Sequence, residues 1–311
     1  MEKAKFNVHI VPENVQEKMI KDLHRQVKND VDANKLLEES NDYEFVFQNS
    51  YVTLLNYLDD KKICEGCTGF ANCKKTGKKG YKIKLKNNLY SNNLETQFVP
   101  CDYFKVILEN FNRIVFSDIE KWKIYHHALE SKNISNSGKA KVKGSYLHSV
   151  ALCLNKIKTF TSADENKGYL ISSDNHNGEA IGYFLAYFFA KTNRTVSVIE
   201  AKTTLNDCSS LIENIKKEGE INLESAKKAD VMIIIDLGFE YKSQAARDLI
   251  LTPLLMDRAK RGKITFITSY LDYEDVVSTY AKDKVSRKLF TKILDKIVEP
   301  ITIKDLEYFN D

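Results

Sequence analysis

Four cysteines between residues 64 and 101 are the side chains of this sequence best suited to chemistry. Cys64 and Cys67 are separated by two residues, and Cys73 and Cys101 follow. A spacing of two residues allows both thiolates to face one tetrahedral metal ion, and a site closed by four thiolates leaves no open position for catalysis. The spacing therefore predicts a structural Zn²⁺ site, with a redox dithiol and unliganded thiols as the alternatives.

A second group of residues has the spacing of a phosphate-binding loop without its chemistry. The segment follows a short apolar strand and precedes a helix, as the pattern G-x-x-x-x-G-K-[ST] does. Ser173 stands at the first glycine and Gly178 at the second. Glu179 replaces the lysine, and Ala180 replaces the hydroxyl that binds Mg²⁺. A carboxylate about 4 Å from a phosphate charge repels it by roughly 4 kcal/mol at an effective dielectric of about 20, which argues against ATP and Mg²⁺ as cofactors.

Two later strands end in residues that extend this comparison. A Walker B strand has an acid pair after its apolar residues, but here Ile235 stands at the first acid and only Asp236 is acidic. Tyr270 follows the next strand, where ATPases of this kind place a polar sensor residue. Taken singly, Asp236 is an ordinary strand end and Tyr270 a surface aromatic. In this order and spacing they outline a P-loop ATPase core reduced to remnants, in which we expect no catalytic residue.

These residues require two kinds of scaffold. Residues 12–60 are predicted to be helical, because apolar residues recur at every fourth position from Val15 to Val27. In the second half, continuous apolar strands alternate with helices, which predicts a parallel sheet covered on both faces. We therefore expect an α/β protein with a helical, zinc-binding domain over residues 1–128, a polar linker over 129–144, and a P-loop NTPase-like domain over 145–311.

Composition restricts the classes of function. The chain has 311 residues, of which 43% are hydrophobic, enough for two cores. Its excess of 47 basic over 43 acidic residues is too small to identify a partner. The first residues lack the apolar stretch of a secretory signal, and the longest apolar run, Ala180–Ala190, is too short to span a bilayer. We expect a cytoplasmic protein without a membrane partner, whose six cysteines are not paired in disulfides.

Motifs in both halves of the chain resemble those of the DnaI/DnaC-like helicase-loader family. They are ICEGCTGFANC at 63–73, Gly80-Tyr81, Pro100-Cys101, the loop remnant, ADVMIIIDLGFE at 229–240, Arg247-Asp248, Arg258, ITFITSYLDYEDV from Ile264, and EPITI at 299–303. The resemblance implies a C-terminal AAA+ domain, a role in the primosome during DNA replication, and binding of the hexameric replicative helicase through the zinc domain. The family's zinc-binding histidine after Gly80-Tyr81 is missing here, which leaves Cys73 as the candidate for the fourth ligand. Near the C-terminus, where the family carries functional arginines, only Arg287 is available.

Three functions remain open at this point. The first is a helicase-loader-like binding protein that is a pseudo-ATPase. The second is an active but atypical ATP-binding helicase loader, which the simultaneous loss of the catalytic positions disfavours. The third is a zinc nucleic-acid-binding regulator, which the α/β core disfavours. Single-stranded DNA is a further candidate partner, because basic residues cluster in two tracts. The tracts are Lys139, Lys141, Lys143, Lys156 and Lys158, and Lys260, Arg261 and Lys263.

Overall fold

The computed structural model describes residues 13–88, 90–126, 128, 167–173, 178–206, 220–238 and 247–303. By its internal contacts the chain divides into two units, residues 1–108 and 109–311. The predicted linker over 129–144 lies outside the described residues. Within the described ranges no helix is both long enough and apolar enough to cross a membrane.

The first unit combines helices with a β-hairpin. Its elements are α1 (Glu13–Lys28), α2 (Val31–Glu38), α3 (Tyr43–Asn49), α4 (Tyr51–Cys64), β1 (Tyr81–Asn88) and β2 (Asn93–Pro100). The helices confirm the prediction for residues 12–60. The hairpin was not predicted, although Tyr81, Ile83 and Leu85 alternate with lysines as in a half-buried strand. Its strands pair antiparallel from Tyr81 opposite Pro100 to Asn88 opposite Asn93.

One apolar core holds the first unit together. Leu23 and Val27 of α1 and Leu54 of α4 are buried with Leu85 and Leu94 of the hairpin. The four-residue repeat of α1 extends back to Val15 and Met19, but these side chains are 42% and 48% exposed. The first half of α1 therefore presents apolar residues to solvent instead of to the core.

A buried aspartate fixes the start of α2. Asp30 accepts the backbone N–H of Ala33 at 3.0 Å, which is the hydrogen bond of a helix N-cap. Its carboxylate also accepts from Tyr57 Oη at 3.2 Å and from Lys61 Nζ at 2.5 Å. Burial raises the pKa of Asp30, but the hydrogen bonds and the charge of Lys61 have a larger, opposite effect. The pKa of Asp30 therefore lies below its ordinary value. Asp30 thus links α2 to α4 as a charged group.

The second unit is built on a parallel sheet. Its strands are β3 (Ile114–Ser117), β4 (Gly168–Ser173), β5 (Val196–Glu200), β6 (Val231–Leu237), β7 (Ile264–Ser269) and β8 (Val298–Ile303). The described residues form a six-stranded sheet of order β3-β5-β6-β7-β4-β8, in which every neighbouring pair is parallel. The prediction of a parallel α/β sheet is confirmed.

Helices cover both faces of this sheet. They are α6 (Gly178–Lys191), α7 (Ala201–Asn206), α8 (Glu220–Lys228), α9 (Thr252–Arg261), α10 (Tyr273–Tyr280) and α11 (Lys284–Ile297), with a π-helical turn at Arg247–Leu251. The division between the units falls within α5 (Asp102–Arg113). Strand β6 shows the double coverage. Met232 and Ile234 belong to one apolar cluster, whereas Ile233 and Ile235 belong to another. Because successive side chains of a strand face opposite sides, both faces of β6 are packed.

Residues 109–128 belong to the second unit, although the sequence suggested that they complete the first. Strand β3 pairs with β5, with Ile114 opposite Val196. The Asp118 carboxylate, just after β3, accepts the backbone N–H of Glu200 at 2.9 Å and the hydroxyl of Thr204. A strand of four residues carries too little periodicity to be assigned to a sheet whose next strand begins at residue 168.

Candidate functional site

The carboxyl end of β4 is the point at which the strand order reverses. After β4 the chain crosses to β5, returns through β6 and β7 to the side of β4, and then continues to β8 on its other side. In open parallel sheets, ligands bind at the carboxyl ends of the strands beside such a point. Ser173 is the last residue of β4, and Gly178 is the first residue of α6. The connecting residues 174–177 lie outside the described part of the chain.

Gly178, Asp236 and Thr268 meet beside the first turn of α6. A Cβ atom added to Gly178 would lie 2.1 Å from Asp236 Oδ1 and 2.8 Å from Thr268 Oγ1, so only glycine fits there. The backbone N–H of Asp236 donates to Thr268 Oγ1 at 3.0 Å. The loop end and the ends of β6 and β7 therefore converge as they would in a P-loop core.

A β-bulge at the end of β6 orients Asp236. Ile234 pairs with Ile267 and Leu237 with Ser269, so that two residues of β6 stand opposite Thr268 alone. Asp236 has a φ of +55°, a left-handed conformation that aspartate tolerates better than most residues. The extra residue brings the Asp236 carboxylate to the amino end of α6, the end at which a P-loop holds phosphate.

Ile235 fills the position at which the first Walker B acid would stand. Its side chain is fully buried, in one cluster with Ile181 and Ile233. A Cβ atom on Gly182 of α6 would lie only 2.5 Å from Ile235 Cγ1. Ala180, at the position of the hydroxyl ligand, is also buried. Hydrocarbon therefore occupies the places from which a P-loop ATPase holds Mg²⁺.

Glu179, at the position of the P-loop lysine, is held by two partners. Lys123 Nζ lies 2.5 Å from Glu179 Oε1, and Tyr183 donates its hydroxyl proton to the same oxygen at 2.6 Å. Lys123 Nζ also lies 5.2 Å from the centre of the Tyr183 ring. Burial, and then the bond to Glu179, raise the pKa of Tyr183, so its hydroxyl stays a donor. Lys123 was missed in the sequence because it precedes Glu179 by 56 residues and lies in no motif.

Tyr270 connects the ends of β6 and β7. Its hydroxyl donates to the carbonyl of Gly238 at 2.8 Å, and the Ser269 hydroxyl donates to the carbonyl of Leu237 at 2.6 Å. Gly238 has a φ of +105°, which glycine adopts without strain. The Tyr270 hydroxyl thus makes a structural hydrogen bond between two strand ends.

Arg258, one of the residues that carry the family resemblance, lies at the opposite, amino edge of the sheet. Its guanidinium is fully buried and donates to the carbonyls of Ala229 and Ile264, beside the first residues of β6 and β7. It also donates to Lys227 O at 3.2 Å and to Thr265 Oγ1 at 3.3 Å. Burial lowers the pKa of Arg258 to about 10. Its contacts are those of a structural residue.

The four cysteines lie around one loop of the first unit. Cys64 ends α4, and the Cys67 N–H donates to the Cys64 carbonyl at 3.2 Å. Gly80 lies near the other two, because its N–H lowers the pKa of the Cys73 thiol and its carbonyl accepts the Cys101 N–H at 2.7 Å. All four side chains are half-buried. Among the described residues, however, no three His, Cys, Asp or Glu side chains are arranged to hold a metal ion.

Cations surround these thiols. Lys75 Nζ is buried, forms a 2.6 Å ion pair with Asp60 and interacts with the Cys64 thiol. Burial raises the pKa of the Cys73 thiol, but the N–H groups of Gly80 and Lys75 and the charges of Lys75 and Lys79 lower it more, so that the pKa falls below its ordinary value. The donor set is chemically that of a thiolate zinc site, which remains a prediction.

The second unit is a parallel α/β domain of the P-loop NTPase-like kind. This follows from the sheet order and from the convergence of the ends of β4, β6 and β7 at α6.

Two solved structures are similar to the chain. One is the crystal structure of DnaI, at 18% identity and a TM-score of 0.40, covering 53% of this chain and 86% of that one. The other is a candidate primosome component from Streptococcus pyogenes serotype M3, at 18% identity and a TM-score of 0.37, covering 52% and 81%. No protein-family model and no curated protein matches the sequence.

Proposed function

We propose that this chain is a helicase-loader-like primosomal protein that binds the hexameric replicative helicase and does not hydrolyse ATP. One observation supports the absence of ATP hydrolysis. A P-loop-like core is assembled, with Gly178, Asp236 and Thr268 in contact, while Glu179 and Ile235 occupy the positions of the lysine and the first acid.

Electrostatics at the start of α6 support a pseudo-ATPase. The carboxylate of Asp236 lies against Gly178, and Glu179, which follows Gly178, adds a second carboxylate. A phosphate about 4 Å from either would meet roughly 4 kcal/mol of repulsion at an effective dielectric of about 20. Lys123 offsets one of these charges, but its ammonium is already engaged by Glu179. The helix terminus contributes only about 1 kcal/mol to anion binding.

Hydrolysis is tested with the purified full-length chain. We expect no ATP turnover above the rate without protein, and no difference between the wild type and Asp236→Asn. Turnover that Asp236→Asn abolishes would show that the chain is an active, atypical ATPase. The variant Thr53→Ala, on α4 of the first unit, controls for the effect of a substitution as such, because its turnover should equal that of the wild type. Turnover that persists unchanged in Asp236→Asn would come from a contaminating ATPase.

We further propose that the helicase contact includes the first half of α1. Val15, Met19 and Ile20 are 42%, 48% and 46% exposed within two turns of this helix. Apolar side chains grouped on one exposed surface favour association with another protein. The proposal that this partner is the replicative helicase rests on the resemblance to the helicase-loader family.

The helicase contact is tested by capture of the replicative helicase from the native cell on the immobilised full-length chain. We expect the wild type to retain it and the double variant Met19→Ser/Ile20→Ser to retain at least about tenfold less, since each buried apolar side chain contributes roughly 1.5–3 kcal/mol. Val52→Ser is the matched control, because Val52 of α4 is 67% exposed. If the wild type retains no helicase, the proposed partner is wrong. If both variants behave alike, only the location on α1 is wrong.

We also propose that Cys64, Cys67, Cys73 and Cys101 hold a structural Zn²⁺ ion. Their support is the thiolate donor set and the loop that joins them through Gly80. When bound, such an ion would tie the end of α4 to the hairpin. Metal analysis should find about one zinc per chain. Cys64→Ser/Cys67→Ser should lose it, whereas Cys153→Ser should keep it. A metal-free wild type with the stability of the double variant would contradict the assignment.

A further inference from the structure

The outer face of α11 combines exposed apolar side chains with exposed cations. The inner face packs into the core of the second unit through four buried residues, which are Phe290, Ile293, Leu294 and Ile297. On the outer face, Val285 is 78% exposed and Leu289 is 48% exposed. Neither of these two side chains takes part in the core that the helix covers.

Six basic residues share this outer face. All are exposed and line an open groove of about 660 Å³, and they are Lys167, Lys284, Arg287, Lys288, Lys292 and Lys296. None of the six forms an ion pair with a described carboxylate, and the groove includes a single acid, Asp295. That carboxylate already accepts the hydroxyl of Tyr273 at 2.5 Å. The positive charge of the groove is therefore not neutralised within the described part of the chain.

Helical geometry mixes the two kinds of side chain in one patch. Residues three or four apart are neighbours on the surface of a helix. Val285 therefore lies beside Lys288, and Leu289 lies beside Lys292. The lysines of the helix recur every four residues, so the patch extends over roughly 18 Å along one side of it.

The two basic tracts that the sequence suggested do not form this patch. In the tract near residue 260, Arg261 Nε lies 2.7 Å from Asp257, and Lys263 Nζ lies 2.9 Å from Asp230. The tract from Lys139 to Lys158 lies outside the described residues. The α11 patch is therefore a separate surface, whose cations have no acidic partners among the described residues.

An anionic bilayer surface is the partner that accommodates both kinds of side chain. Its headgroups attract lysine and arginine, each of which strengthens binding roughly fivefold when it lies near the surface. The acyl boundary beneath the headgroups takes up aliphatic side chains such as Leu289. A nucleic-acid backbone would contact the cations but offers no apolar interior to Val285 and Leu289. A protein partner would bury these two side chains, but lysine is depleted in protein–protein interfaces.

We propose that the α11 patch, formed by Val285, Leu289 and the six basic residues, binds the surface of a membrane that contains anionic phospholipids. From the sequence we expected no membrane partner, because the longest apolar run is too short to span a bilayer. Attachment to the surface of one leaflet needs no spanning segment. This proposal goes beyond the function proposed above, and it can fail while the helicase contact and the absence of ATP hydrolysis hold.

Co-sedimentation of the full-length chain with vesicles tests the proposal. The vesicles contain about 30 mol % phosphatidylglycerol in phosphatidylcholine, and vesicles of phosphatidylcholine alone are the neutral comparison. The variant Val285→Ser/Leu289→Ser removes the apolar side chains of the patch, and Lys288→Gln/Lys292→Gln removes two of its charges. The matched controls act at exposed positions elsewhere, and they are Val31→Ser/Val52→Ser on α2 and α4 and Lys202→Gln/Lys260→Gln on α7 and α9.

We expect the wild type to sediment with the anionic vesicles at roughly 0.1 M salt and to bind the neutral vesicles at least about tenfold more weakly, because the lysines need anionic headgroups. Each patch variant should bind the anionic vesicles at least about tenfold more weakly than the wild type, since it loses either two charges or two inserted side chains. Both controls should stay within about twofold of the wild type, because their positions lie outside the patch.

Three results would overturn the proposal. One is the absence of binding by the wild type to anionic vesicles at roughly 0.05 M salt, where screening is weak. Another is an equal loss in a patch variant and its control, which would mean that total charge or total apolar surface determines binding. The third is undiminished binding by Val285→Ser/Leu289→Ser with a loss in the lysine variant alone, which would identify the ligand as polyanions in general, nucleic acid included. Thermal unfolding of all variants at the temperature of the wild type confirms that they are folded.

Discussion

Replacing Arg258 with alanine should separate a structural arginine from a functional one. Arg258 belongs to the motifs that resemble the helicase-loader family. Its guanidinium, however, is fully buried at the amino edge of the sheet and bonds to backbone carbonyls. We therefore expect Arg258→Ala to reduce the free energy of unfolding by about 3–5 kcal/mol.

The magnitude follows from the groups that would lose their donor. The carbonyls of Ala229 and Ile264 would each lose a hydrogen bond to a charged group, and a buried carbonyl left unsatisfied costs about 1–3 kcal/mol. The lost contact to Thr265 and the cavity left by the side chain add to this cost. Arg258→Lys should recover only a part, because one ammonium cannot span carbonyls that a planar guanidinium joins.

Urea unfolding of the full-length chain measures the difference. Arg261→Ala is the matched control on the same helix, since Arg261 is exposed and its ion pair with Asp257 is worth less than about 1 kcal/mol. A cost below about 1 kcal/mol for Arg258→Ala, equal to that of the control, would refute the structural role.

Three other outcomes follow from the structure. Burial, with a further contribution from Glu200, raises the pKa of Asp118 to about 6, so the contribution of Asp118 to stability should be greatest below about pH 4 and fall by up to about 3 kcal/mol as the pH rises through 6. Asp118→Asn should flatten this profile in unfolding experiments between these pH values. Gly178→Ala should cost about 1–3 kcal/mol because its Cβ would meet Asp236, whereas Gly77→Ala, with open space around it, should cost little. Chelation of metal should lower the melting temperature of the first unit by several degrees if zinc holds it, and leave the second unit unchanged.

Each of these three predictions has a result that would contradict it. An Asp118→Asn profile parallel to that of the wild type would place the titration in other groups. Equal melting temperatures for the two glycine variants would mean that α6 shifts to admit a methyl group. A chelator without effect on either unit would leave the cysteines as free thiols.

The sequence predicted the scaffold of the second unit well because its signals are local. The run from Val231 to Ile235 is apolar throughout, which is typical of a strand packed on both faces. The same holds for α1, where the four-residue repeat includes Leu23 and Val27, which are buried in the core. Spacing could not identify the exposed position of Val15, because an apolar repeat does not reveal where the core ends.

The contacts of the candidate site were less predictable because they join distant segments. No pattern connects Lys123 to Glu179 or Thr268 to Asp236, and each pair meets only when the sheet is assembled. The charge of α11 was overlooked for a related reason. Its lysines are separated by apolar core residues such as Phe290 and Leu294, so they become one face only when the helix forms.

The contact between Ile235 and Gly182 has a consequence for how this chain can change. An acid at position 235 would be buried against apolar neighbours and left unpaired, at a cost of several kcal/mol. A polar residue at position 182 that could pair with that acid would first collide with Ile235, whose Cγ1 lies 2.5 Å from the place of its Cβ. Either single substitution is therefore less stable than the present pair. A return to an acidic residue would require both substitutions at once, and such a double step is rarely accessible to evolution.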